Sequence, residues 1–343
     1  MSGTSLDGID LAWCEFSETD GGWKHCIRKA TTIPYDPSFK ERLAHATELS
    51  AYDYALLDNQ LGHLIADHIN HWIAQDEKPD FIASHGHTVF HQPTIGLTTQ
   101  IGSGAVIASL TGITTVCDFR TSDVALHGQG APLVPIGDEL LFGQFDACLN
   151  LGGFSNISYR QGNERIAFDV SPCNMAINFL AAKEGLTYDK DGNLARSGKL
   201  IPTLLDQLNH IDYYQQMPPK SLGKEWFETE MMPILQNTLR QHETRDCLHT
   251  VTTHIAMQIC QSLSKDARML LVTGGGAHNK FLIEQIKAHC DASIIVPDTL
   301  TVDFKEALVF AFLGMLRLRG QNNCLKSVTG AIRNCCGGAV YNG

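Results

Sequence analysis

Apolar positions in this chain fall into two rhythms. Leu57, Leu61, Leu64, Ile65, Ile69, Trp72 and Ile73 recur at the spacing of an amphipathic helix, closed by Lys78-Pro79. The same helical stripe returns at Leu248, Val251, Ile255, Ile259 and Leu263, and as an apolar, buried helix from Phe304 to Arg319. Residues 101–110, apolar with small residues, also read as helix. Short runs bounded by turn residues read as strands: the loose alternation from Ile9 to Phe16, then Phe81-Ile82-Ala83, Thr114 to Cys117, Ala147 to Leu151 returning through Asn156 to Tyr159, Ile166 to Val170, Met269 to Thr273, and Ala292 to Val296. Ser171-Pro172 resembles the N-cap and first residue of a helix running to Leu186, and another helix follows Asn279. Strands and helices alternate throughout, which predicts an α/β fold.

Length and composition refine that picture. With 343 residues the chain is expected to form two domains or one two-lobed domain. Its 26 basic against 37 acidic residues, a formal charge of −11, disfavour nucleic acid and anionic membranes as partners. No apolar run reaches spanning length and no signal peptide opens the chain, so a cytoplasmic location is expected. The eleven cysteines form no C-x-x-C pair and read as buried, reduced thiols.

Candidate chemistry clusters at the turns. MSGTSLDGID and LNLGGFSNIS are both glycine- and hydroxyl-rich turns flowing into strands, one in each half of the chain. Glycine lets backbone N–H groups approach phosphate oxygens closely, and hydroxyls such as Thr4, Ser5 and Ser155 add donors. Asp7 and Asp10 are suited to hold Mg²⁺ directly or through water. Gly274-Gly275-Gly276, between a strand and a helix, suits a small-residue floor under a base or ribose, or serves as a plain turn. No Walker-type run occurs: Gly192 to Gly198-Lys199 has one residue too many and ends in Leu200. Asp169, at a strand's end before the expected helix, reads as a general base or as a helix cap. His85, His87 and His91, with Asp118 and Asp123, suggest zinc ligands, although structural or substrate-binding histidines are the stronger reading.

Taken together, the runs MSGTSLDGID, SHGHT, DFRTSDVA, GQGAPLVP, LNLGGFSNIS, FDVSPCN, PPKSLGKEWF, VTGGGAHNKFL, DFKEALVFAFL and SVTGA resemble the anhydro-N-acetylmuramic acid kinase family, within the sugar kinase, Hsp70 and actin superfamily. The resemblance implies a two-lobed actin-like (ribonuclease H-like) ATPase fold with a central cleft. Its first lobe would hold residues 1–120 plus 305–343, and its second 121–304. It implies that ATP and water convert 1,6-anhydro-N-acetylmuramic acid to N-acetylmuramic acid 6-phosphate during peptidoglycan recycling, with Asp169 activating the water. The nucleotide would be held by Gly3, Thr4, Ser5, Leu6, Asp7, Gly8, Ile9 and Asp10, by Gly152, Gly153, Ser155 and Asn156, and by Gly274, Gly275 and Gly276. His85, Arg120, Asp123 and Glu306 become candidates for the sugar, with Arg120 facing its lactyl carboxylate or a nearby ring oxygen, or else paired structurally with Asp118 or Asp123. A homodimer is compatible with this reading. A metal-dependent hydrolase and a silent nucleotide-binding protein of the same fold are the competing expectations.

The chain departs from the family's usual pattern at several positions. Ser171 and Cys173 stand where glycine is usual, as does His127, while Asn178 replaces Asp and His87 replaces Gln. If positive φ is needed at 171 and 173, strain of about 1 kcal/mol or more each is expected. Only Met1 and Ser2 precede the first turn, fewer residues than family members carry, so a shortened or misplaced start is expected.

Overall fold

The computed structural model describes residues 1–2, 6–74 and 78–343, which divide into two compact units. One holds Met1–Leu141 and Phe304–Gly343, the other Phe142–Asp303. The sequence reading changed lobes near residue 120; the units divide between Leu141 and Phe142, so the segment 121–141 sits with the N-terminal residues.

In the first unit, β1 (Gly8–Thr19) and β2 (Gly22–Pro34) form a long antiparallel ribbon. Ser2 bridges to Ile9, and the Asp10 N–H donates to the Met1 carbonyl at 2.8 Å, so the chain folds back on β1 across the first glycine turn. β3 (Ile82–Ala83) and β6 (Thr115–Cys117) pair parallel, and β12 (Ala339–Tyr341) runs antiparallel to β6. Between β3 and β6 in sequence comes a separate two-stranded hairpin of β4 (His87–Gln92) and β5 (Leu97–Ile101). The sequence stripe becomes the helix Ala51–Ile73, capped by the Ser50 hydroxyl and burying Leu57, Leu61, Ile65 and Ile69. The expected helix over 101–110 spans Gly104–Thr111 instead, because Leu97–Ile101 is taken by the hairpin. Most of the helix Thr299–Leu318 belongs to this unit. Its Gly314 lets it lie on β3: an added Cβ would come within 2.8 Å of the Ala83 Cβ.

The second unit is built on one five-stranded sheet. β7 (Ala147–Leu151), β8 (Phe154–Gln161) and β9 (Glu164–Pro172) form an antiparallel meander, and β10 (Met269–Thr273) lies parallel to β7, with β11 (Ser293–Ile295) outside it. The helices Asn174–Ala181, Thr244–Ser262 and Lys280–His289 contribute to a core that includes Leu149, Leu180, Val251, Ile255 and Leu282.

Two expectations are corrected here. The helix after Asp169 does not start at Ser171-Pro172. β9 runs on to Pro172 because Ser171 pairs with Ser155 in the sheet, and the helix begins at Asn174 and ends at Ala181. The cysteines are not all free thiols: Cys260, on the helix Thr244–Ser262, is disulfide-bonded to Cys290, the residue that caps the helix Lys280–His289.

Candidate active site

The second unit gathers its candidates at one edge of the sheet. Thr273 pairs with Asn150, Asn150 with Asn156, and Asn156 with Asp169. Directly paired residues share a face of the pleat, so β10, β7, β8 and β9 each contribute one polar residue to a single row. The turn Gly152-Gly153 closes β7 onto β8 at the same end of the strands, and Gly274 follows β10 there. The carboxyl ends of parallel strands are where open α/β sheets bind ligands.

The glycines are required by contact. Gly274 has φ +83, and a Cβ on it would collide with the Asn150 amide oxygen; one on Gly276 would come within 2.7 Å of the Leu151 Cβ. Gly275 and Gly153 are exposed, Gly152 partly so. The first turn of the helix Asn174–Ala181 has no side-chain cap. Instead the N–H groups of Cys173 and Met175 donate to the Gly153 carbonyl at 2.8 and 3.1 Å, and that of Asn174 to the Gly152 carbonyl at 3.1 Å. The Asn174 amide also donates to the Leu151 carbonyl at 3.1 Å, fastening the hairpin from the other side.

Asp169 is half-buried. Its Oδ2 accepts the Leu222 N–H at 2.9 Å, its own N–H donates to the Lys220 carbonyl, and its carbonyl accepts the Tyr213 hydroxyl at 2.7 Å. The run PPKSLGKEWF thus acts as a brace behind this strand end. Burial raises the carboxyl above its ordinary range, with the Leu222 hydrogen bond opposing. Ser155 is fully buried, its hydroxyl 3.1 Å from the Ser171 carbonyl and 3.0 Å from the Ser171 hydroxyl, so it locks two strands together rather than facing solvent.

In the first unit, Arg120 and His85 form the central pair. The Arg120 Nε and Nη2 donate to His85 Nε2 at 3.0 and 2.8 Å, and Nη1 donates to the Gly130 carbonyl at 2.7 Å. His85 Nδ1 faces the Gly86 carbonyl at 3.0 Å, which fixes the proton on Nδ1 and leaves Nε2 as acceptor. Burial, then the Arg120 charge, push this imidazole down to about 3. Neither Asp118 nor Asp123 pairs with Arg120: Asp118 accepts from Thr121, and no carboxylate lies within ion-pair distance of the guanidinium among the described residues. Glu306 is exposed although crowded by protein. Burial pushes its carboxyl up, and Arg120 pulls it down.

Asp123 is placed differently from an exposed ligand. It is 1% exposed, and its carboxylate accepts the Gly130 N–H at 2.7 Å, the Thr329 hydroxyl at 2.8 Å and the Cys324 thiol at 3.0 Å. It therefore shapes the loop whose carbonyl holds Arg120. The three histidines make separate contacts: His87 with Ser2 at 3.4 Å, His91 with Thr98 at 3.1 Å, and His85 as above. They form no metal-ligating group among the described residues.

Of the first glycine turn, Gly3, Thr4 and Ser5 lie outside the described residues. Leu6 has φ +55, Asp7 is exposed, Gly8 and Ile9 are buried, and Asp10 accepts the Thr32 hydroxyl at 2.6 Å on one oxygen. Mg²⁺ is held by one or two carboxylates completed by water and phosphate, not by a full protein cage, and Asp7 with Asp10 fits that donor set. A cavity of about 670 Å³ in this unit, lined by Asp10, Trp13, Lys24, Trp72 and Ala307 among others, has a mixed polar and apolar wall that does not include His85 or Arg120. Sequence reasoning missed Asn150, Thr273, Leu222 and Gly130. All four sit inside quoted runs, but that Leu222 reaches Asp169 is visible only in the fold.

Such an arrangement, with glycine turns at strand ends beside a braced carboxylate, defines an α/β protein equipped to bind a phosphorylated ligand. The family model for anhydro-N-acetylmuramic acid kinase matches residues 1–343, and the chain belongs to that family. Relatives of that name include proteins of Aliivibrio fischeri, 38% identical with 99% of this chain and 97% of that protein covered, and of Vibrio cholerae, 37% identical with 99% and 96% covered. Among solved structures, a ROK family glucokinase from Streptomyces griseus in complex with glucose and AMPPNP matches at 12% identity and a TM-score of 0.34, covering 81% of this chain and 88% of that one.

Proposed function

We propose that this protein is an ATP-dependent kinase that converts 1,6-anhydro-N-acetylmuramic acid to N-acetylmuramic acid 6-phosphate. The observation that carries the reading is Asp169: one oxygen is held by the Leu222 N–H, the other makes no hydrogen bond among the described residues, and the group stands in the polar row beside Gly152-Gly153. In this reading the second oxygen takes a proton from water as that water bonds to C1. The C1–O6 bond breaks, its electron pair goes to O6, and O6 attacks the γ-phosphorus with ADP as leaving group. The glycine turns supply backbone donors to the phosphates. Bound Mg²⁺, held by Asp7 and Asp10, would neutralise phosphate charge.

Arg120 is the residue for the lactyl carboxylate. A guanidinium has five N–H donors, and those not directed at His85 and Gly130 remain for an anion. His85 orients it, and Glu306 adds a nearby acceptor. A place in cell-wall recycling follows from that substrate. Family membership supports the sugar and ATP, and no helix among the described residues is long and apolar enough to cross a membrane. The test is ADP release by a coupled assay with ATP, Mg²⁺ and the anhydro sugar, with the product identified by mass spectrometry as the 6-phosphate gaining one water. Turnover with bound zinc and no ATP would sink this reading in favour of a hydrolase. ATP binding without turnover would mark a silent relative.

A further inference from the structure

Cys324 and Cys335 face each other in the first unit as an isolated antiparallel bridge. The Cys324 N–H donates to the Cys335 carbonyl at 3.1 Å, and the Cys335 N–H returns to the Cys324 carbonyl at 3.2 Å. Such a doubly bonded pair has Cα atoms about 5.5 Å apart, within the span of roughly 4.4–6.8 Å that a disulfide bridges. The two sulfurs and an Asp123 oxygen all lie within 4.8 Å of one another, and Cys324 and Cys335 are 1% and 7% exposed. Asn323 ties the segments together, donating to the Gly337 carbonyl at 2.8 Å and accepting the Gly337 N–H at 2.7 Å. The backbone therefore holds the two residues with Cα atoms inside the span that a disulfide bridges.

We propose that Cys324 and Cys335 form a reversible dithiol–disulfide site, oxidised by peroxide, that acts on the support of Arg120. The Cys335 sulfur attacks peroxide and the O–O bond breaks, giving a sulfenic acid and water. The Cys324 sulfur then attacks the oxidised sulfur, the S–S bond forms, and a second water leaves. Two thiols are oxidised and one peroxide is reduced; a dithiol reductant reverses the step by exchange. Once Cys335 is ionised, the Cys324 thiol turns its one proton from Asp123 to that sulfur; this bond, with the Arg333 charge, holds the Cys335 thiol below its ordinary range and favours it as the attacking sulfur. That same bond, then burial and the Asp123 carboxylate, push Cys324 up, suiting it to resolve.

Oxidation removes the thiol proton that Cys324 gives to Asp123. Asp123 then keeps only Thr329 and Gly130, and Gly130 carries the carbonyl that holds Arg120. A carboxylate that loses one of three buried donors is less well compensated, so the loop beneath Arg120 loosens.

The experiment uses full-length protein in a Cys260→Ser/Cys290→Ser background, which removes the other disulfide. Samples are equilibrated in graded glutathione buffers or treated with hydrogen peroxide, then alkylated, digested and mapped by mass spectrometry. The expected result is a peptide pair joined through Cys324 and Cys335 that appears on oxidation, disappears with dithiothreitol, and is absent from Cys335→Ser. Two free thiols across the whole series would overturn the proposal. So would one zinc ion per chain in the untreated protein that is lost in Cys324→Ser, since the cluster would then be a metal site. A second arm rests on the kinase reading and follows only after sugar-dependent turnover is shown: oxidation raises the sugar KM several-fold and leaves the ATP KM unchanged. An unchanged sugar KM in protein mapped as oxidised overturns the link to Arg120, whatever the first arm shows.

Discussion

Replacing Asp169 by Asn separates the chemistry at that position from its architecture. The Leu222 N–H, 2.9 Å from Oδ2, finds an amide oxygen in the same place, and the Tyr213 and Lys220 contacts go to the backbone and are untouched. What is lost is the acceptor for the water proton. General-base removal costs about 10²–10⁴ in rate, or about 3–5 kcal/mol of barrier. Stability should move the other way. A carboxyl raised by burial is one whose charge the fold disfavours, so a neutral amide leaves the protein at least as stable as before. ADP release under saturating ATP and sugar measures the first effect, thermal melting the second. The pH profile adds a third reading. Wild-type kcat/KM should rise with pH as Asp169 loses its proton, in a limb placed above that of an ordinary aspartate, whereas the variant should lack it. Near-normal turnover, or a variant that keeps the acid limb, would refute the assignment and move the search to Glu306 and His85.

Arg120→Ala should raise the sugar KM by about 10–100-fold, the worth of a charged hydrogen bond, with the ATP KM little changed; equal losses for both would mark a structural role. His127→Gly should stabilise the protein, because His127 is exposed with φ +62. Relief of about 1–2 kcal/mol is offset by about 0.5–1 kcal/mol of glycine entropy, and a lowered melting temperature would contradict this. His254 is fully buried, its Nδ1 2.7 Å from the Asn209 amide oxygen, and burial pushes it down to about 3. Its contribution is complete above the unfolded value of about 6.5 and is lost as pH falls toward 3, on the order of 2 kcal/mol by pH 5. Urea unfolding should show that slope in wild type and a shallower one in His254→Gln; equal slopes would place the proton uptake elsewhere.

How far the sequence could be read depended on where each residue's partner lies. The stripe of Leu57, Leu61 and Ile65 announces its helix because the period is local. β2 was missed: GWKHCIRKATTIP exposes alternate residues, and its side-chain pattern is polar enough to pass for loop until β1 pairs with it along its length. The glycine departures show the same limit. Ser171 lies in a strand and Cys173 has φ −117, so neither carries the expected strain, while His127 does sit in the left-handed region. Asp169 was legible as a carboxylate at a strand end. Its brace, Leu222, lies 53 residues away in sequence and is visible only once folded. Asp123 was marked by a quoted run, yet its burial comes from Gly130, Thr329 and Cys324, the last two some 200 residues further on.

The Gly152-Gly153 turn has a consequence for binding. Both carbonyls already accept from the helix Asn174–Ala181, so two residues with the greatest backbone freedom are pinned when the protein folds. Ordering a residue costs roughly 1–2 kcal/mol. A free glycine loop would charge that cost to every ligand it closed on, lowering affinity each time. Here the ordering is complete before any ligand arrives. A phosphate at this turn would meet a rigid surface, and the entropy lost on association would be that of the ligand alone.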